Sequence, residues 1–174
     1  MSAMPSAYRD IIDPLIEVAR GLLEQGESLT PIAFVGNLTA GRTTPVVLQT
    51  GSEAEKNLSV AAIRQIAELH EADFVFVLME AWTLPPDKAR QFETILERYG
   101  SIGASPYAVD SVSFTLETRH GLWVAQCNLK PKGVSKKRRT FAPPSFQHFT
   151  DVRGRFADLL PGKDAAGEPP ATLH

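Results

Sequence analysis

The chain has 174 residues, of which 43% are hydrophobic and 22% charged, and its formal net charge is −2, as in ordinary globular domains. No run of about 18 apolar residues occurs and the start lacks a signal-peptide pattern, so we expect no membrane association and no export. The single cysteine cannot form an internal disulfide, which excludes a disulfide-stabilised domain and favours a reducing, cytoplasmic compartment.

The first predicted element is an amphipathic helix. Apolar residues recur at steps of three and four from Tyr8 to Leu23 and form one stripe. Asp13 and Pro14 predict either a kink in this helix or a helix that begins at Pro14, because proline is tolerated in a first turn. Gly26 predicts its end.

The next stretch, AFVGNLTAGRTT, resembles the sequence motif of a phosphate-binding loop. Gly36, Gly41, Arg42 and Thr43 match the spacing G-x-x-x-x-G-[KR]-[ST], with arginine in place of the usual lysine. Such a loop also needs a helix that begins at its last two residues. Here Pro45 and the valines after it favour a strand. We therefore predict a hairpin of two adjacent antiparallel strands, with Arg42 in the turn and no bound phosphate.

The middle of the chain predicts a helix, a buried strand and a further helix. Residues 52–72 follow a helical period, with Ser52 as the N-cap. The uninterrupted apolar run of residues 74–79, directly after Asp73, predicts a central strand that is buried on both faces. Pro85 opens the third predicted helix and Gly100 ends it.

After residue 110 the period of the pattern changes to two. Residues 111–117 and 123–129 alternate between apolar and polar side chains, which predicts a β-hairpin with one face on a core. Its other face, which includes Glu117, is expected to lie near water. Residues 140–150 predict a further strand, which its two prolines confine to an edge.

The order of these elements predicts an α+β fold. We expect a single domain, residues 1–160, with a mainly antiparallel (mixed) sheet of five to six strands, an N-terminal helix and two further helices. The second helix makes one crossover connection. Residues 161–174 are rich in Gly, Pro and Ala, which predicts a disordered tail.

Glu80 is the candidate catalytic residue. It follows the apolar run and shares a strand face with Phe76 and Trp82, so its carboxylate is expected to be partly desolvated. Burial raises the pKa of a carboxyl group, which suits general acid–base chemistry in a hydrolase or nuclease, with or without a metal. The alternative is a structural carboxylate that pairs with an arginine.

The four histidines show no metal-ligand spacing. A metal site would have to bring His70 and Glu80 together over a long distance, so we predict no metal and no cofactor. Cys127 points inward by strand alternation and is expected to be a small core residue rather than a nucleophile.

Positive charge is concentrated late in the chain. Residues 1–129 carry nine Lys and Arg against sixteen Asp and Glu, whereas residues 130–155 carry eight against one. Six of these cations fall within residues 130–139, in a predicted loop: Lys130, Lys132, Lys136, Lys137, Arg138 and Arg139. The aromatic residues that follow are Phe141, Phe146, His148 and Phe149.

This basic segment suggests three functions. Clustered cations bind acidic protein surfaces, including those of a second copy of this chain, and they also bind nucleic-acid phosphates, with aromatic rings available to stack on bases. A solvated loop that keeps a sheet edge soluble is the plain alternative. The leading interpretation is a cytoplasmic accessory protein without catalytic activity, which contacts a protein partner or itself through residues 130–139. The alternatives are a hydrolase or nuclease built around Glu80 and a nucleic-acid-binding module.

Overall fold

The apolar stripe at the start of the chain forms helix α1, Ser6–Glu24, in the computed structural model, which describes residues 3–150, 159 and 160. Pro14 lies inside this helix, so of the two predicted alternatives the helix that begins at Pro14 is wrong. An interior proline costs about 3 kcal/mol. Burial of Ile12 and Ile16, which are 0% and 3% exposed, offsets that cost at about 1.5–3 kcal/mol for each side chain.

Gly26 ends α1 as predicted. Its φ of 91° is left-handed, its N–H donates to the carbonyl of Leu23, and the N–H of Glu27 donates to the carbonyl of Leu22. This pair of bonds is a Schellman motif, which satisfies carbonyls that the last helical turn leaves without partners.

The main sheet has six strands. They are β1 (Ile32–Asn37), β2 (Arg42–Val47), β3 (Phe74–Thr83), β4 (Val109–Thr118), β5 (Gly121–Asn128) and β8 (Gln147–Phe149). Their order is β2-β1-β3-β4-β5-β8, and every pairing in the described part of the chain is antiparallel. The predicted α+β class and the predicted edge position of the strand within residues 140–150 are both confirmed.

Helices cover both faces of the first half of β3, residues 74–78, as its unbroken apolar run predicts. Phe74 and Phe76 pack with Ile12 of α1 on one face. Val75 and Val77 pack on the other face with helix α2, Glu53–Leu69. Side chains alternate along a strand, so a strand between two helical layers is apolar at every position.

Helix α2 makes the predicted crossover, because it connects β2 to β3 and packs against β1 and β2. Ser52 caps it: the Ser52 hydroxyl accepts the N–H of Glu55 at 3.1 Å. The third helix, α3 (Phe92–Tyr99), follows a single 3-10 turn and starts later than predicted from Pro85. Gly100 ends it in a left-handed conformation, as expected.

The outer face of the β4–β5 hairpin corrects one prediction. Glu117 was expected near water, but it is 1% exposed. Its two carboxylate oxygens accept hydrogen bonds from the backbone N–H groups of Leu159 and Leu160. These leucines pack in the hydrophobic core between the sheet and α2, which we call the α2-side core. A remote segment therefore covers a face that local alternation marks as polar.

The basic segment forms a second, two-stranded sheet rather than a loop. Strand β6, Lys130–Lys132, pairs with β7, Ser135–Thr140, and β7 packs against α1. We call residues 130–140 the basic hairpin. The predicted disordered tail lies outside the described residues. Within the described chain, none of the helices combines the length and apolar character needed to cross a membrane.

Candidate functional site

One end of the basic hairpin is held to the main sheet by Arg139. Its Nη1 lies 2.7 Å from Oε1 of Glu80 and 2.5 Å from Oδ2 of Asp110. These carboxylates lie on the same face of the adjacent strands β3 and β4, where like charges would repel without a cation between them. Burial alone lowers the pKa of Arg139, but hydrogen bonds to Asp110 and Glu80 outweigh burial and hold it above its usual range.

Both carboxylate oxygens of Glu80 are engaged. While Oε1 binds Arg139, Oε2 accepts the backbone N–H of Leu29 at 2.7 Å. A general base must present an oxygen to the proton that it removes. The geometry therefore favours the structural alternative, in which Glu80 pairs with an arginine, and a catalytic Glu80 stays a prediction.

A second anchor joins the basic hairpin to the end of α1. Glu24, the last residue of that helix, accepts from the hydroxyl of Thr140 at 3.0 Å and from Nζ of Lys132 at 3.2 Å. The Thr140 hydrogen bond and the Lys132 ammonium lower the pKa of Glu24. The helix dipole disfavours an acid at a helix C-terminus, so Lys132 compensates this charge.

Three cations of the basic hairpin remain available to a partner. Lys130, Lys137 and Arg138 are exposed, and within residues 3–150, 159 and 160 none of their side chains makes a hydrogen bond or an ion pair. The turn between the strands carries Val134, which is fully exposed. Lys136 lies within β7. The six predicted contact residues thus include two that anchor the hairpin and three that project unpaired charge.

Trp82 adds an exposed aromatic ring beside this hairpin. It is 56% exposed and pairs across the sheet with Asp110, the residue that holds Arg139. The indole lies against Gly103 so closely that a Cβ on that glycine would meet its Cδ1 at 2.6 Å. One side of the ring is therefore backed by main chain, while much of the rest faces solvent.

The chain matches no protein-family model, no curated protein and no solved structure. Trp82 and the unpaired cations of the basic hairpin are accordingly the features from which a function is inferred.

The aromatic residues after the basic segment are used mainly by the core. Phe141 is 3% exposed and packs against Phe114 with ring centroids 5.5 Å apart. The ring of His148 stacks on Trp123 at 4.2 Å. Phe149, at the edge of the main sheet, is exposed. Base stacking by this group, which the sequence suggests, is not favoured by these positions.

The structure does not bring His70 and Glu80 together. His70 precedes β3, whereas Glu80 lies six residues beyond Phe74, about 20 Å along that strand. In the described ranges, no three His, Cys, Asp or Glu side chains are grouped as metal ligands. His148 contacts the carbonyl of His120 at 2.8 Å, and His174 lies outside those ranges.

The loop that resembles a phosphate cradle is the predicted hairpin. Strand β2 begins at Arg42, which pairs with Asn37, so Arg42 opens a strand rather than lying in the turn. Gly36 is explained by packing, because a Cβ there would collide with the ring of Phe74. Turn geometry and packing therefore explain why these residue types occur at the spacing of a phosphate-binding motif.

Cys127 is partly buried against the hydrophobic core between α1 and the sheet. Burial raises the pKa of its thiol, although the charge of Arg20 acts in the opposite direction. A raised pKa keeps the sulfur protonated at neutral pH, where a nucleophile must be a thiolate. This favours the predicted core role.

Proposed function

We propose that this chain is a non-catalytic accessory protein that binds a negatively charged partner through the basic hairpin. One observation carries the proposal. Lys132 and Arg139 form ion pairs with carboxylates of α1 and the main sheet. Lys130, Lys137 and Arg138 project into solvent instead. The single cysteine supports a reducing, cytoplasmic setting.

Anchoring makes the exposed cations more effective. A flexible loop loses conformational freedom when it binds, and this loss weakens the complex. Ladder hydrogen bonds between β6 and β7, together with the ties to Glu24, Glu80 and Asp110, already hold the basic hairpin in one position. A partner therefore meets a hairpin backbone that is already ordered, and less conformational entropy is lost on binding.

The three acids that anchor the hairpin do not compete with a partner. Glu24, Glu80 and Asp110 are each engaged by a cation or hydroxyl of the hairpin. Residues 130–150 contain no Asp or Glu. The exposed surface of the hairpin is thus positive although the whole chain is acidic.

Retention on a heparin column tests the proposal. We expect the wild-type protein to bind at about 20 mM salt, because counterion release makes such binding strongest at low ionic strength. Substitution of Lys137→Gln together with Arg138→Gln should lower the salt concentration of elution. Glutamine keeps the Cβ of Lys137 beside Gly26.

The matched control is Arg42→Gln together with Arg90→Gln, which removes the same charge from two exposed arginines outside the hairpin. This control should elute close to wild type. Wild-type protein that fails to bind heparin, or two variants that lose retention equally, would contradict a role for the basic hairpin.

A further inference from the structure

Trp82 and the start of the basic hairpin lie close together at one end of the main sheet. The backbone N–H of Leu129, the residue before β6, donates to the carbonyl of Asp110 at 2.8 Å. Asp110 pairs with Trp82 on its other side. Neighbouring strands lie about 4.8 Å apart, so about 10 Å separates the Trp82 backbone from the start of the hairpin.

The surface at this end offers two different interactions. Lys130, Lys137 and Arg138 supply exposed positive charge without acidic neighbours in the hairpin. Trp82 supplies a flat ring, held by Gly103 on one side and 56% exposed overall. Cations that follow a phosphate backbone, combined with an aromatic ring that stacks on a base, are the usual elements of single-strand recognition.

A protein partner fits this surface less well. Stable protein interfaces bury about 800 Å² on each side around a mainly apolar centre. The only large apolar side chain that the described hairpin exposes is Val134 at its turn. One tryptophan beside unpaired cations suits a ligand whose charge and aromatic rings alternate along a chain.

We propose that the partner is single-stranded nucleic acid, with its phosphates on the basic hairpin and a base stacked on Trp82. This inference rests on the proposed function, and it adds Trp82 and the chemical class of the ligand. Duplex nucleic acid keeps its bases paired, so it should use the cations without the ring.

Fluorescence anisotropy with a labelled oligothymidine of about 12 nucleotides tests this inference, since such sites span roughly 4–16 nucleotides. Trp82→Leu should weaken binding roughly 5- to 150-fold, the loss expected for one stacked base, without changing the salt dependence. Trp82→Phe should recover much of the affinity because it keeps a ring.

The cations should show a different signature. Lys137→Gln with Arg138→Gln should reduce the slope of log K against log salt by about 1.4, which corresponds to two lost phosphate contacts on a single strand. The control substitutions are Phe149→Leu, an exposed ring elsewhere on the sheet, and Arg42→Gln with Arg90→Gln. Both should bind like wild type, and thermal unfolding should show that all variants fold.

The outcomes separate the two proposals. If the protein binds oligothymidine and Trp82→Leu has no effect, or if a duplex of equal length binds more tightly, the single-strand inference is wrong and the proposed function stands. Tighter binding of polyglutamate than of oligothymidine would identify an acidic protein partner instead. If heparin, oligothymidine, duplex and polyglutamate all fail to bind, both proposals are wrong.

Discussion

At the level of single residues, Arg139 anchors the basic hairpin by binding two carboxylates of the main sheet. The sequence places it among six similar cations, but its guanidinium lies between Glu80 and Asp110. The side chains of Arg139 and Glu80 are each 21% exposed and that of Asp110 is 30% exposed, so solvent screens the cluster only in part. The net contribution of this cluster to the free energy of unfolding therefore lies between that of an exposed ion pair and that of a buried one.

Arg139→Ala should therefore lower the free energy of unfolding by about 2 kcal/mol, because two partly buried carboxylates lose their cation. Arg138→Ala removes the same charge from an exposed neighbour without an ion pair in the described chain, and it should cost less than about 0.5 kcal/mol. Urea denaturation of both variants measures the difference. Equal losses would show that the cluster adds no stability.

At the level of elements, different physical effects determine which face of α1 is buried and where α1 ends. Its apolar stripe fixes the helical face that is buried, and this burial carries the helix through Pro14. Its end depends on backbone conformation, because Gly26 adopts a φ of 91° that residues with a Cβ adopt only at a cost. The same helix contains Gly21, where a Cβ would meet no atom within 4 Å.

These two glycines predict opposite effects of alanine. Gly26→Ala should destabilise the protein by about 1 kcal/mol, from the left-handed conformation alone, since the added Cβ would make only an ordinary 3.6 Å contact with Lys137. Gly21→Ala should stabilise it by up to about 1 kcal/mol through helix propensity. Thermal and urea unfolding of the pair give the signs. A loss at both positions would indicate that packing, rather than conformation, decides.

At the level of the whole molecule, Glu117 connects parts of the chain that are distant in sequence. It is 1% exposed, and its oxygens accept from Leu159 and Leu160 at 2.8–3.0 Å. Those leucines belong to the same core as β3 and α2. A buried carboxylate thus holds a late segment on the α2 side of the sheet.

Glu117→Ala should cost about 2–4 kcal/mol, because it leaves two buried N–H groups without this acceptor. Glu117→Gln keeps one oxygen of similar reach and should cost less. Hydrogen exchange at the amides of Leu159 and Leu160 provides a local measurement, and exchange should be fastest in the alanine variant. Unchanged exchange in that variant would rule out this tie.

Local patterns in the sequence predict most helices and strands of this fold, with the exception of the basic hairpin, which they predict as a loop. The helical stripe of α1, the N-cap Ser52, the doubly buried β3 and the hairpin at Arg42 all follow from patterns within a few residues, and the structure contains them. Their α+β class and the crossover followed from element order. Local periodicity and turn chemistry decide these features, so the printed sequence is sufficient for them.

Tertiary structure alone decided which charges and rings are available. Arg139 lies 29 residues from Asp110, Thr140 lies 116 from Glu24, and Leu29 lies 51 from Glu80. Electrostatic and hydrogen-bonding energies depend on distance in space, which no local pattern encodes. The separation of anchored from exposed cations, the burial of Glu117 and the position of Trp82 beside the basic hairpin therefore appear only when the chain is folded.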